Sequence, residues 1–471
     1  MATRSISRTD SFELIVRQTS DVFAAEVDCG IEEKCDCLPN NEPLLDRTVE
    51  APAETKVSNF KKLFLPVFLP QVPAYGVNAM LTPVLPSYVM EHFGLSAATA
   101  GLATACLSLA PVILDMPQNI IADRVGPHAL GVFSAACLIG SGIIGAAADV
   151  SSSFAMLLLA RICNGCGQST WQMSRVLLMA RAPPAERAGA LAAVGGMQRF
   201  AGLISPLLGS LLASHFTILG VFAAQTCLGL IVLPLALLPV LAPTSSLLPD
   251  YIRGSGVGGA GQQTSISGMM RCAVRNRSDF ATAGMACLLL GVLRQAKDFL
   301  IVLKIADLGG SMADKGFAVT MAYVFDFSLS PVSAMLMNTF GRKFSLGPAL
   351  LVISLACGLL GTSASDSIRA TVVIACLAGA GNGISSGLGM TLGSDIAVQR
   401  EKEGRTVSKA EFLGPWREMQ DLGMLLGPTV AGAVITAMSF VAATRMCLVI
   451  GFAAAAFTAV FVEEPFRPSH K

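Results

Sequence analysis

Charge is what this chain lacks. Asp, Glu, Lys and Arg supply 14% of its 471 residues, while hydrophobic residues supply 53%; a water-soluble domain carries about 25% charged residues. The deficit excludes a water-facing globular protein and requires a surface turned to lipid. Histidine is almost missing. His92, His128, His215 and His470 all fall in connections or in the tail, so there is no imidazole set for a buried metal and no nucleophile–base arrangement. Neither an enzyme nor a cofactor is expected. A net charge of +1 leaves no electrostatic footprint for nucleic acid.

Long apolar runs are what the chain has instead. Mean hydropathy is +0.63, and a crossing needs roughly 20 apolar residues. In the first half the runs are 63–89, 98–121, 129–148, 153–180, 190–212 and 216–242. In the second they are 279–302, 316–337, 346–364, 370–394, 413–436 and 441–462. The expected fold is an all-α integral membrane protein, with twelve transmembrane helices in two pseudo-symmetric six-helix bundles at 61–242 and 279–463.

Residues 1–60 hold twelve acidic and six basic side chains. They bury too little apolar surface to fold, so they read as a disordered cytosolic tail. Residues 243–278, rich in Gly, Ser and Arg, read as a cytosolic linker, and 464–471 as a short cytosolic tail. Basic residues set the orientation. Lys61, Arg124, Arg187, Arg275, Arg342 and Arg405, among others, share one side, against Lys315 and Arg369 on the other. Both termini are therefore expected in the cytosol, with the plasma membrane favoured over an organellar one. The chain is expected to be monomeric. Cys163 and Cys166 form a C-x-x-C within an apolar helix, where small residues serve close packing. Trp171 and Trp416 read as interfacial anchors.

One stretch occurs twice. Met197-Gln198-Arg199 leads into Gly202, Pro206 and Gly209; Met419-Gln420-Asp421 leads into Gly423, Pro428 and Gly432. The two prolines are 222 residues apart (428 − 206), close to half the chain. A duplicated Gly/Pro-bearing membrane helix suggests two related halves with a site between them.

Two short connections repeat as well. Asn119, Asp123, Arg124, Gly126, Pro127 and His128 follow the second run; Ala334, Asn338, Gly341, Arg342 and Lys343 follow the eighth. This pair resembles the G-x-x-x-D-R-x-G-R-R loop of the major facilitator superfamily. Arg161-Ile-Cys-Asn-Gly165-Cys-Gly167 resembles that superfamily's R-x-x-x-G-x-G helix. Gly202-x-x-x-Pro206-x-x-Gly209, with Gly427-Pro428 in the second half, resembles the G-P-x-x-G helix of its antiporters. The resemblance covers residues 60–463 and is nearest to the drug:proton antiporter branch. It implies alternating access of two six-helix halves, with a small organic molecule exported in exchange for protons. Uptake by symport or facilitated diffusion is the alternative. A non-transporting receptor or scaffold is a further one, which the intramembrane charges disfavour.

A charge at mid-bilayer costs on the order of 3 kcal/mol on insertion scales, so it must face a cavity or a partner. The resemblance sets spans five and eight face to face, and likewise spans two and eleven. It implies Arg199 opposite Asp326, and Asp115 opposite Arg417 or Asp421. Asp326 is the expected proton carrier. Arg161 gates the proton or touches an anionic substrate, and span one offers it Gln71, Tyr75 and Asn78 but no acid. Arg294 and Lys297, three apart on one helix face, would favour an anionic substrate if they line the cavity with Asn78.

Overall fold

The computed structural model describes residues 63–180, 184–241, 265–406 and 409–465; within these it does not describe the side chains of 119, 122, 123, 180, 184–189, 191, 192, 239–241 and 410. The expected tail at 1–60, most of the linker, residues 466–471 and the side chain of Asp123 lie outside the described residues. Everything described is helix or short connection.

Span one is broken by its prolines. A π turn at Phe64–Phe68 is followed by α1, Gln71–Ala79, and α2, Leu85–His92. Next comes α3, Ala97–Val150, which holds spans two and three; it breaks at Gly126, whose φ of 79° and ψ of 162° are open to a residue without Cβ. Span four is α4, Phe154–Ala180. Then α5, Pro184–Leu241, carries spans five and six, and breaks at Phe216 and Thr217.

The stretch read as linker contains an element, α6, Ile266–Arg275, capped by the Ser265 hydroxyl. It turns Met269 and Cys272 inward. A second π turn, Phe280–Gly284, leads into α7, Met285–Asp307. Then follow α8, Met312–Thr339, and α9, Lys343–Leu359. Span ten is α10, Ile368–Ile384, plus α11, Leu388–Lys402, joined through Gly387 at φ 71°. Spans eleven and twelve are α12, Lys409–Ala437, and α13, Phe440–Phe461.

Among the described residues, six helices are long and apolar enough to cross a bilayer, and one of these, Ala193–Leu238, runs 46 residues and so holds two crossings. At 1.5 Å per residue it would measure about 69 Å if straight, more than twice a hydrocarbon core. The other crossings are broken by proline, are short, or carry intramembrane charge. Gly341 lies against Glu464, near the last described residue, and this side of the protein is called here the terminal face.

The two halves repeat one packing scheme. Span five approaches span one so closely that a Cβ on Gly209 would lie 2.2 Å from the Met80 carbonyl oxygen, and its Gly202 meets Tyr323 of span eight. Span eleven does the same to span seven, where a Cβ on Gly427 would lie 2.4 Å from the Val292 carbonyl oxygen, and to span two, where Gly432 abuts Ala97. Exchanging the halves turns one set of contacts into the other.

Trp171 and Trp416 depart from the expected interfacial position. They are 3% and 0% exposed. Their indole N–H groups donate to Gln71 Oε1 at 3.0 Å and to the Gly389 carbonyl at 2.8 Å. Internal acceptors replace the water that a membrane-interface tryptophan uses, so both rings belong to the core.

Candidate functional site between the halves

Asp326 is 13 residues before the end of α8 at Thr339 and 14 after its start at Met312. At 1.5 Å per residue both ends lie about 20 Å away, so the carboxylate is near mid-helix. It is buried, and its Oδ2 accepts from Asn382 Nδ2 of α10 at 2.8 Å. Arg199 of span five, Lys297 and Arg294 all lie near enough for their charges to act on it. Arg199 and Asp326 thus share a site, but among the described residues they make no direct ion pair within 4 Å.

Arg294 reaches across to α10, donating from Nη2 to the Ser385 carbonyl at 2.6 Å and to the Ser385 hydroxyl at 2.7 Å. Lys297 is taken by its neighbour: Nζ lies 2.5 Å from Asp298 Oδ1 and 5.9 Å from the Tyr323 ring centroid. Tyr75 of α1 stands among Asp326, Arg199, Arg294 and Asp298 yet is 37% exposed. A side chain ringed by charges from both halves and still accessible borders an internal void.

Arg161 of α4 is 3% exposed. Its Nη2 donates to Asn78 Oδ1 of α1 at 3.2 Å, and its Nε and Nη1 have no acceptor. Asn78 sits one helical turn from Tyr75, which brings Arg161 to the rim of the same void.

A second charged group spans the halves nearer the terminal face. Arg417 Nε lies 2.9 Å from Asp115 Oδ2 and 3.8 Å from Asp421 Oδ2. Arg417 Nη2 also donates to Gln172 Oε1 at 2.8 Å. The Ser169 hydroxyl donates to Asp115 Oδ1, and Gln118 Nε2 donates to Thr170 Oγ1 at 2.9 Å. Spans two and four thereby meet span eleven through one guanidinium.

In the connection between spans eight and nine, Gly341 has φ 104°. Arg342 Nε pairs with Asp395 at 2.7 Å, and its Nη1 reaches the Met337 carbonyl at 3.0 Å. The start of α9 is held from an unforeseen place: Glu464, beyond span twelve, accepts from the amides of Arg342 at 2.9 Å and Lys343 at 2.8 Å. Lys343 Nζ returns the contact to the Ala459 carbonyl at 3.0 Å. In the first-half copy Arg124 is exposed.

Several participants carry no motif, among them Asn382, Ser385, Ser169 and Arg175. The last is 2% exposed, stacks 3.8 Å from the Trp171 centroid and donates to the Pro66 carbonyl at 3.0 Å. That carbonyl is available because residue 70, its helical partner, is a proline without N–H. The Pro70 break was the one available signal for Arg175.

Charged side chains that converge between two like six-helix bundles are the architecture of the major facilitator fold. The chain belongs to the Major Facilitator Superfamily, whose profile matches residues 67–301 and 287–471. It is 32% identical over 152 residues, 32% of this chain and 36% of the relative, to a nitrite extrusion protein of Bacillus subtilis (strain 168). It is 30% identical over 191 residues, 39% of this chain and 31% of the relative, to an uncharacterized MFS-type transporter of Mycobacterium tuberculosis. The match spans about a third of the length of each of these curated relatives. Among solved structures, a D-xylose-proton symporter aligns with TM-score 0.64 at 15% identity, covering 86% of this chain and 98% of that one. The human organic anion transporter MFSD10 aligns with TM-score 0.58 at 14% identity, covering 84% and 99%. At such identities the likeness is one of fold.

Proposed function

We propose that this protein exports a small organic solute in exchange for protons, by alternating access about the central void. One observation carries the proton part: Asp326 is buried at mid-helix and faced by Arg199, Arg294 and Lys297, with Asn382 on its Oδ2 and Asp298, Tyr75 and Tyr323 nearby. Rearrangement of the halves changes which cations face the carboxylate, and so its hold on a proton. The Asp115–Arg417–Asp421 group acts as the gate that parts when the halves rock. The G-P-x-x-G resemblance of span five supports exchange, as in the drug:proton branch. The chain works as a monomer, in the plasma membrane, with both termini in the cytosol.

A second reading, cotransport, is favoured by the charge count. Arg161, Arg199, Arg294 and Lys297 outnumber Asp298 and Asp326 around the void. A ligand attracted to that surplus binds more tightly when Asp326 carries a proton, so solute and proton would travel together. Vesicle experiments separate the two. Exchange requires an inside-acid gradient to drive uptake; cotransport requires an outside-acid one. Uptake indifferent to either gradient would refute proton coupling altogether.

A further inference from the structure

Arg161 and Arg175 lie on one face of α4 and are equally buried, yet they are treated differently. Arg175 has a freed carbonyl and an aromatic face against it. Arg161 has one amide oxygen, that of Asn78, and two nitrogens without an acceptor. Among the described residues, Arg161 makes no ion pair with a carboxylate within 4 Å. A buried guanidinium is not deprotonated, and an unpaired buried charge is among the most costly arrangements a fold can hold. The cost is met if a counter-ion arrives from outside the chain.

The surroundings suit a ligand with more than charge. Asn164 and Gln168, three and seven residues on and so on the Arg161 face, leave Asn164 Oδ1 and Gln168 Nε2 unpaired. One offers an acceptor and the other a donor. Across the void, Arg294 Nε is likewise without an acceptor.

We infer that Arg161 is the anion-binding group of the transport site, and that the solute is a small oxyanion, a carboxylate foremost, seated between Arg161 and Arg294. This rests on the transporter reading above, but not on the direction of coupling.

The test uses the full-length purified protein. Thermal unfolding is followed with benzoate, lactate, succinate and nitrite as anionic probes, xylose and uridine as neutral ones, and tetraethylammonium as the cationic one. At least one anion stabilises the wild type. Arg161→Gln weakens that anion's apparent affinity by about tenfold or more, as expected for a lost charge-assisted contact, and Arg161→Lys retains part of it. Without ligand, Arg161→Gln unfolds no earlier than wild type, since it removes an uncompensated charge; Arg175→Gln unfolds earlier. A structural arginine would give the reverse at position 161.

The inference is overturned if no anion stabilises the protein, if only the neutral or cationic probes do, or if Arg161→Gln leaves the anion response intact. Counterflow in proteoliposomes keeps the two readings apart. Flux of a neutral or cationic solute without anion binding sinks this inference alone. Anion binding without any flux sinks the transporter reading alone.

Discussion

Removing the Arg417 side chain, as in Arg417→Met, should expose how the halves are held near the terminal face. The guanidinium is one-fifth exposed and sits against Asp115 and Asp421, at 2.9 and 3.8 Å, with side-chain exposures of 2% and 8%. Breaking a buried ion pair from one side costs about 3–5 kcal/mol, because the remaining charge is stranded. Partial exposure of Arg417 places the cost near the lower end, about 3 kcal/mol. Loss of the donor to Gln172 adds about 1 kcal/mol.

The discriminating step is the second substitution. Asp115→Asn alone should also destabilise, but combined with Arg417→Met it removes a stranded carboxylate, so the double variant should be more stable than Arg417→Met. Equilibrium unfolding of the four proteins in one detergent yields the coupling free energy, expected at 1 kcal/mol or more (about 1–3) for residues in one network. Additive effects, or a cost for Arg417→Met within about 0.5 kcal/mol, would rule out a shared buried network at Arg417.

Three further outcomes follow from the packing. Gly101→Leu near the start of α3, where even a Cβ would lie 2.2 Å from the Pro428 carbonyl oxygen, should cost about 1–3 kcal/mol by overpacking, and raise thiol labelling of cysteines introduced at that end of α3; unchanged stability and labelling would contradict the close approach. Glu464→Ala should lose the cap on two α9 amides, about 0.5–2 kcal/mol by analogy with other N-caps, seen as faster hydrogen exchange confined to the first turn of α9. Trp416→Ala should cost about 3–5 kcal/mol as a core truncation, whereas a membrane-interface position would lose far less in an unfolding titration.

The crossings were legible because apolar runs of bilayer length have few other uses, and the halves because Pro206 and Pro428 sit in matching sentences. The meeting of Asp115 with Arg417 could be read once the resemblance set span two against span eleven. Other features left no local trace. Glu464 and Arg342 are 122 residues apart, and no periodicity connects them. Trp171 and Trp416 were misplaced because their polar ends are satisfied by Gln71 and Gly389, acceptors on other helices. Lys297, three residues from Arg294, also holds its own neighbour Asp298, a contact that the spacing with Arg294 does not show. The element α6 was hidden within a stretch whose glycines lie mostly before residue 262.

Under the proposed exchange, Asp326 couples a proton to solute movement across the void. The most direct measurement is solute flux in proteoliposomes under an imposed pH gradient, for wild type and Asp326→Asn. The gradient should drive flux in the wild type, and Asp326→Asn should retain solute exchange while losing the response to pH. Gradient-driven flux that survives Asp326→Asn would contradict that coupling.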